Sequence, residues 1–280
     1  MALRIIGVYK IIIVQNKIDI VDPKQAEENH RQIVEFVKGT VAENAPIIPV
    51  SAHHDVNLDA LLMLIQKVIP TRPHDETKPA KMYVARSFDV NQPGIPPEKI
   101  VGGVLGGSLL QGKLKSGDEI EISPGRQVAL GNKTEWRNIT TEIRSLHTGG
   151  AARKEARSGG LIAIGTNLDP VLTKADSLVG RVVGPPGTLP EIVSKMSVEV
   201  HLLERVVGTE EELSVEGIKT SEPLMISVGT ATTVGVVTSA RENRADMALK
   251  IPVVAEAGQR VAVSRRIGGK WRLIGYGVLK

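Results

Sequence analysis

From Ile11 to Asp19 the sequence is IIIVQNKID. Its leading apolar run, Ile11–Val14, predicts a short strand buried on both faces of a parallel sheet. Asp22, Pro23 and Gln25 then predict the start of a helix, because they supply a capping side chain, a residue suited to the first helical position and a capping-box partner. The stretch therefore predicts a strand, a polar loop and a helix, in that order.

A second strand and helix follow the first pair. The apolar run Ile47–Val50 predicts another strand, and Asn57 is placed to cap a helix after it. We expect that helix to bury one apolar side, formed by Leu58, Leu61, Leu62, Ile65, Val68 and Ile69. The order β-α-β-α predicts an open α/β sheet with helices on its faces.

The rest of the chain has the pattern of an all-β protein. The proline-bounded segment Pro70–Pro79 predicts a linker, and alternating runs such as Glu119–Ile122 and Leu224–Val228 predict strands between glycine-rich turns. Another cluster of Gly and Pro, Gly184–Gly187, predicts a second boundary. We therefore predict a multi-domain α/β plus all-β chain, with an α/β domain and two β-barrels at residues 1–76, 77–186 and 187–280.

The composition excludes several classes of protein. The 280 residues are enough for two or three domains. The absence of cysteine excludes disulfides and cysteine-ligated zinc within the chain, and it suits a cytoplasmic protein. No apolar stretch of about 20 residues and no secretory leader occur, so no membrane partner is expected. A net charge of +4 is compatible with a polyanionic partner, while an aromatic content of 2% argues against base stacking as the main binding mode.

Asn16, Lys17 and Asp19 form NKxD, the guanine-recognition motif of GTP-binding proteins. The motif follows a predicted strand, which is where ligands bind in open α/β sheets. The Asp19 carboxylate can accept hydrogen bonds from the ring N–H and the exocyclic amine of guanine, a pair that adenine does not offer. Asn16 can bond the purine or fasten the loop, and the aliphatic stem of Lys17 can cover one face of the base. An ordinary surface turn is the alternative, because Asn and Asp are common turn residues.

Ser51, Ala52 and His53 follow the second predicted strand. They resemble the second base-contacting loop of GTP-binding proteins, in which a backbone N–H meets the guanine oxygen. The adjacent His53 and His54 could also suggest a metal site. Neighbouring side chains on extended backbone point apart, however, and no further ligand lies at a suitable spacing, so we expect no metal there.

The motifs that hold the phosphates of GTP are missing from the sequence. GTP hydrolysis requires GxxxxGK[ST] and a DxxG segment, and neither occurs. A partial match, Gly102–Gly107 followed by Ser108, has no lysine and is interpreted as a glycine-rich turn of a barrel. We therefore predict a guanine-recognition half-site without catalytic residues and without ligands for Mg²⁺.

Longer stretches carry a resemblance to a known family. Residues 106–125, from Gly106-Gly107-Ser108 through Gly117-Asp118 to Pro124-Gly125, resemble the barrel signature of translational GTPases such as elongation factor Tu. Lys38–Pro49, Arg86–Asn91 and Trp271–Gly277 are similar to the gamma subunits of archaeal and eukaryotic translation initiation factor 2, and Val200–Gly208 looks archaeal. The resemblance covers essentially the whole chain, and it implies a partial P-loop-type GTPase domain followed by two barrels.

The resemblance also implies ligands and partners. These are GTP or GDP, with Mg²⁺ in the complete protein, and an alpha–beta–gamma heterotrimer that delivers methionylated initiator tRNA to the small ribosomal subunit and releases it after GTP hydrolysis. The second domain would hold the alpha subunit and help to form the pocket for the aminoacyl end. The chain opens close to the strand before NKID, which suggests an N-terminal truncation within the GTP-binding domain. We therefore expect it to be inactive as an enzyme on its own.

Basic residues are concentrated at the end of the sequence, where residues 260–280 contain no acidic side chain. Clustered Lys and Arg can contact tRNA phosphates, which would make the affinity dependent on salt. A solvated face of the barrel is an equally good interpretation. The candidate tRNA-binding residues are Arg260, Arg265, Arg266, Lys270 and Arg272, with Lys280 beyond them.

Three functions stay open at this point. The first is a GTP-dependent carrier of initiator tRNA. The second is a scaffold that binds the alpha subunit through its barrels without nucleotide. The third is a related enzyme, such as the selenocysteine-specific elongation factor or the GTPase subunit of sulfate adenylyltransferase, which the family-specific stretches disfavour.

A half sheet leaves an apolar face and an open edge exposed. We therefore predict that residues before about Pro79 are poorly ordered in this chain alone, so that the amide hydrogens of Ile11–Val14 exchange rapidly with solvent. Hydrogen exchange followed by mass spectrometry measures this directly. Strong protection of Ile11–Val14 in the isolated chain would contradict the prediction.

Overall fold

The computed structural model describes residues 7–71, 75–131, 133–206 and 213–280. The chain divides into two compact units, Met1–Pro73 and His74–Lys280. This division falls within the predicted linker, of which residues 72–74 lie outside the described residues. The domain limits after residues 76 and 186 stay predictions. Along the described ranges, no helix combines the length and the apolar character needed to cross a membrane.

The first unit alternates strands and helices. Strand β1 (Ile13–Gln15) pairs in parallel with β2 (Ile47–Pro49), and each strand is followed by a helix. Helix α1 (Pro23–Val37) begins as predicted, because the Asp22 side chain accepts a hydrogen bond from the Gln25 N–H at 2.9 Å. Helix α2 is Leu58–Val68. The predicted order and the parallel pairing are confirmed.

Some details of this unit differ from the expectations. Asn57 precedes α2 but does not cap it, because its side chain donates to the Pro49 carbonyl at 2.9 Å while its backbone is left-handed at φ 61°. Val14 is exposed, so β1 is not buried on both faces. The side of α2 expected to be buried includes the exposed residues Leu62, Ile65 and Ile69. These side chains have the apolar pattern of a buried face, yet they are exposed among the described residues of this unit.

The second unit opens with a closed barrel. Its ring of strands runs in the order β10-β4-β3-β11-β6-β7 and closes through the pairing of β7 with β10. Two short additions lie beside it: β5 pairs with β9, and β8 pairs with β7. The strands are β3 (Lys81–Phe88), β4 (Val104–Gln111), β5 (Lys113–Lys115), β6 (Glu119–Leu130), β7 (Lys133–Thr148), β8 (Ala151–Arg153), β9 (Glu155–Arg157), β10 (Gly160–Thr166) and β11 (Val182–Gly184).

A second closed barrel completes this unit, with its strands in the order β12-β15-β14-β13-β16-β17. The predicted alternation is present in both barrels: Ile120 and Ile122 are buried on β6, and Leu224, Ile226 and Val228 are buried on one barrel strand. The fold class is confirmed as an α/β unit followed by two barrels. The strands of the second barrel are β12 (Ile192–Leu202), β13 (Pro223–Val228), β14 (Ala231–Arg241), β15 (Arg244–Val254), β16 (Arg260–Ile267) and β17 (Lys270–Leu279).

The two barrels contact one another through side chains at the start of β3. Lys81 Nζ lies 2.9 Å from the Glu256 carboxylate, and the Tyr83 hydroxyl accepts a hydrogen bond from Gln259 Nε2 at 3.2 Å. The Tyr83 ring also packs on Gly229, where a Cβ would lie 2.8 Å from a ring carbon. These contacts involve three positions of the second barrel, and they explain why the barrels form one compact unit.

Glycines of the barrel signature have two different roles. Gly117 has φ +91° and precedes β6, so the predicted entry into a strand at Gly117-Asp118 is confirmed. The interpretation of Gly102–Gly107 as a turn is wrong for its last members, because Gly106 and Gly107 lie inside strand β4. A Cβ on Gly107 would lie 1.9 Å from the Tyr83 carbonyl oxygen. Glycine is needed there for the close approach of two backbones.

We predict that Gly107→Ala destabilises the second unit by about 2–4 kcal/mol, because backbone atoms must shift to accept the methyl group. Gly160→Ala is the matched control, since a Cβ at that strand position meets nothing within 4 Å. Urea unfolding followed by circular dichroism gives both values. Equal stability of the two variants would show that β3 and β4 can separate without cost.

Candidate functional site

The predicted guanine-recognition residues lie at one edge of the small parallel sheet. Asn16 and Lys17 follow β1, and Ser51 and Ala52 come shortly after β2. Because β1 and β2 are adjacent and parallel, their carboxyl ends meet at the same edge. The structure therefore brings the two predicted loops together.

Asn16 fastens these loops to each other. Its Oδ1 accepts hydrogen bonds from the Lys17 N–H at 2.8 Å and from the Ala52 N–H at 3.1 Å. The Ile18 N–H also donates to the Val50 carbonyl at 3.3 Å. Of the two roles considered for Asn16, the structure shows the one that ties the loop. Lys17 has an exposed side chain and a left-handed backbone at φ 68°, which turns the chain sharply toward Asp19.

The Asp19 side chain is only 20% exposed, and its surroundings favour the ionised form. Hydrogen bonding from the Ser51 hydroxyl lowers the pKa of the Asp19 carboxyl, partial burial opposes that effect, and its own backbone N–H and the charges of His54 and His53 lower the pKa further. Ser51 is fully buried, and its hydroxyl oxygen accepts a hydrogen bond from the His54 N–H at 3.3 Å. The result is an acceptor that stays charged at neutral pH and keeps one side open.

The two histidines differ in what they contact. His54 Nε2 lies 3.8 Å from the Asp19 carboxylate, and the ring of His53 stands edge-on to that of His54 with the centroids 4.6 Å apart. Within the described part of the chain, no three His, Asp or Glu side chains come together as metal ligands. The arrangement is a histidine pair beside an aspartate, and the sequence had singled out His53 rather than His54.

Gln15 is a supporting residue that the sequence pattern did not indicate. Its buried side chain donates to the Ala26 carbonyl at 2.8 Å and to the Asn29 amide oxygen at 3.0 Å, so it joins the end of β1 to helix α1. The only signal in the sequence was one polar residue directly after an apolar run. It fixes the strand from which the NKID loop leaves.

The basic residues at the end of the sequence do not form one surface. Arg265 is 15% exposed and forms an ion pair with the Glu222 carboxylate, which is 17% exposed. The same guanidinium donates to the carbonyls of Glu216 at 2.9 Å and Gly217 at 3.0 Å. Arg265 therefore holds the loop before β13 against the barrel, which is a structural role.

The other members of this stretch are divided between faces of β16 and β17. Arg265 is paired across the strands with Arg272, and Arg266 with Trp271, so Arg265 and Arg266 lie on opposite faces. Arg272 Nε is buried and has no hydrogen-bond partner among the described residues. Arg266 and Lys270 are exposed. These two keep the accessibility that a phosphate contact requires, as do Arg260 and Lys280.

Arg260 belongs to a stack on the outside of the second barrel. Its guanidinium lies over the Tyr276 ring at 5.3 Å, and that ring stacks on His201 with the centroids 4.6 Å apart. The stack spans three neighbouring strands, β12, β17 and β16. Arg260 and His201 thus both contact the Tyr276 ring. Arg260 does not belong to the same group as Arg266 and Lys270.

A cavity of about 580 Å³ opens on the first barrel. It was not predicted, although the family-specific stretch Arg86–Asn91 supplies two of its residues. Its walls are mainly apolar and also include basic and polar groups. Among the lining residues are Phe88, Val90, Val101, Arg144, His147 and Asn167.

Comparison with known proteins settles the family. A family model described as initiation factor eIF2 gamma, C terminal, matches residues 194–279. The translation initiation factor 2 subunit gamma of Methanocaldococcus jannaschii is 60% identical over 280 residues, which are 100% of this chain and 68% of that protein. The chain belongs to the translation initiation factor 2 gamma subunit family. The Pyrococcus furiosus member is 59% identical with the same coverage of both chains. Membership in this family places the chain among the translation initiation factors.

A solved structure shows the same fold. Translation elongation factor SelB from Methanococcus maripaludis, in complex with the GTP analogue GppNHp, matches this chain with a TM-score of 0.73 and 19% sequence identity. The match covers 99% of this chain and 60% of the SelB chain. The chain therefore spans about three fifths of that structure, and the likeness concerns the fold alone.

Proposed function

We propose that this chain recognises guanine nucleotides through Asp19 and takes part in GTP-dependent delivery of methionylated initiator tRNA to the small ribosomal subunit. The contact between the two loops supports the first part. Asn16 Oδ1 accepts a hydrogen bond from the Ala52 N–H, and Ser51 lowers the pKa of the Asp19 carboxyl. Membership in the gamma-subunit family supports the second part. Assembly with alpha and beta subunits and a cytoplasmic location belong to the same proposal.

The chemistry of the site fits a guanine base. The Asp19 carboxylate would accept the ring N–H and the exocyclic amine, and the stem of Lys17 would lie along one face of the base. Ser51, Ala52 and His53 would form the opposite side, next to the guanine oxygen. Because the sequence contains neither GxxxxGK[ST] nor DxxG, we assign base recognition to these residues and no step of GTP hydrolysis. Mg²⁺ would be bound by the phosphates and by residues that these motifs supply.

The cavity of the first barrel is our candidate for the aminoacyl end of the tRNA. Phe88, Val90 and Val101 give it apolar walls that suit a methionyl side chain. Arg144 and His147 at its side would face the sugar and phosphate of the terminal nucleotide. A pocket of this type binds an uncharged thioether by burial and fixes its orientation by a few polar groups.

A scaffold function without nucleotide is the second candidate. It is favoured by the side-chain contacts between the barrels, such as Lys81 with Glu256 and Tyr83 with Gln259, which do not involve the first unit. The alpha subunit would then bind this second unit whatever the state of the NKID loop. Nucleotide binding distinguishes the two candidates.

We predict that the chain binds a fluorescent GDP analogue in preference to the matching ATP analogue. Asp19→Asn should weaken GDP binding roughly 10- to 100-fold, because one charge-assisted acceptor is lost. Asp59→Asn, an exposed aspartate on α2, is the matched control and should bind as the unchanged chain does. Absence of guanine-selective binding by the unchanged chain would favour the scaffold function.

For the tRNA contact we predict a role of Arg266, since it is exposed while Arg265 is held by Glu222. In a heterotrimer that contains this chain, Arg266→Gln should reduce the slope of log affinity for initiator tRNA against log salt by about 0.7–0.9, the value for one phosphate contact. Lys250→Gln, an exposed position on β15, is the control. If both variants keep the original slope, the basic stretch is a solvated barrel face.

A further inference from the structure

We infer that His54 is a positioning residue for guanine recognition, which together with Ser51 fixes the plane of the Asp19 carboxylate. The inference rests on the proposed recognition of guanine by Asp19. It assigns a role to a histidine that neither bonds the base nor binds a metal. Three observations carry it: the rigid loop that contains His54, its two separate links to Asp19, and the geometry that a guanine base demands of a carboxylate.

The loop from Ser51 to Asn57 is held in a strained conformation. Asp55 and Asn57 have left-handed backbones, with φ 56° and 61°. Ser51 and Val56 close the loop through reciprocal backbone hydrogen bonds of 3.2 and 3.0 Å, and the Asn57 side chain donates to the Pro49 carbonyl at 2.9 Å. Residues without glycine's freedom keep such angles only where the surroundings fix them. The loop therefore presents His54 at a defined place.

His54 is linked to the carboxylate twice. Its backbone N–H donates to Ser51 Oγ at 3.3 Å, and the same hydroxyl lowers the pKa of the Asp19 carboxyl. Its ring nitrogen Nε2 lies 3.8 Å from Asp19 Oδ2. The ring of His53, edge-on at 4.6 Å, restricts how the His54 imidazole can turn. Ser51 approaches Asp19 from a fully buried position, while the His54 side chain is 59% exposed.

These contacts leave the carboxylate the acceptor sites that guanine needs. A carboxylate has about four lone-pair sites, and a guanine edge uses one on each oxygen. The remaining sites can accept from the Ser51 hydroxyl and interact with the imidazole. The Ser51 hydroxyl on the buried side and the His54 imidazole on the exposed side restrict the rotation of this carboxylate, so that both oxygens face the base in one plane. Hypoxanthine lacks the exocyclic amine and needs only one oxygen, so its binding depends less on that rotation.

The role predicts a change in base selectivity on removal of the imidazole. We expect His54→Gln to reduce the ratio of GDP to IDP affinity by roughly three- to tenfold, with most of the loss on the GDP side. Competition of each nucleotide against a fluorescent GDP analogue on the full chain gives the ratio. His30→Gln, an exposed histidine on α1, is the matched control and should leave the ratio unchanged.

A second measurement does not need nucleotide. The pKa of Asp19, followed by ¹³C NMR of its side-chain carboxyl carbon, should rise in His54→Gln and in Ser51→Ala, and should not move in His30→Gln. An unchanged nucleotide ratio together with an unchanged Asp19 pKa in His54→Gln would overturn the inference. If no form of the chain binds GDP, the proposed base recognition fails, and the Asp19 titration alone then decides whether His54 acts on the carboxylate. Thermal unfolding of each variant verifies that the first unit stays folded.

Discussion

The parallel pairing of β1 with β2 is the interaction on which the candidate nucleotide site depends. Three residues of each strand are in register, from Ile13 beside Ile47 to Gln15 beside Pro49. This short ladder sets the NKID loop and the Ser51 loop at one edge, where a single amide side chain, that of Asn16, can bond both. A slip of one residue would turn the strand over and remove Gln15 from helix α1. The geometry of the candidate site therefore relies on few backbone hydrogen bonds.

The second unit is stabilised in a different way. Each of its barrels is a closed ring of strands, which leaves no long unpaired edge among the described strands, and each has its own buried apolar core. Closed barrels keep their shape without help from a neighbouring layer, whereas the helices of the first unit expose apolar residues such as Phe36, at 85%. The part of the chain with the NKID motif is thus the part with the weaker core.

The sequence predicted those features that depend on neighbours within a few residues. The cap of α1 by Asp22, the entry into β6 at Gly117 and the alternation in both barrels follow from local patterns, and all are present. Features that depend on distant partners were missed. The ion pair of Arg265 requires Glu222, 43 residues away in sequence, and Gly107 requires the carbonyl of Tyr83. The contact of His54 with Asp19 joins two loops that are distant in sequence, so no local pattern indicates it.

The packing of Tyr83 on Gly229 constrains how the family can change over evolutionary time. A side chain at position 229 would collide with the tyrosine ring, and the backbone there, at φ +58°, already disfavours anything larger than glycine. A smaller residue at position 83 would open a gap between the barrels and lose the hydroxyl that Gln259 bonds. A substitution at position 83 or position 229 alone is therefore disfavoured. Positions 83, 229 and 259 are far apart in the sequence but are expected to change together during evolution. A chimaera that takes its two barrels from different relatives would therefore need compatible residues at all three positions.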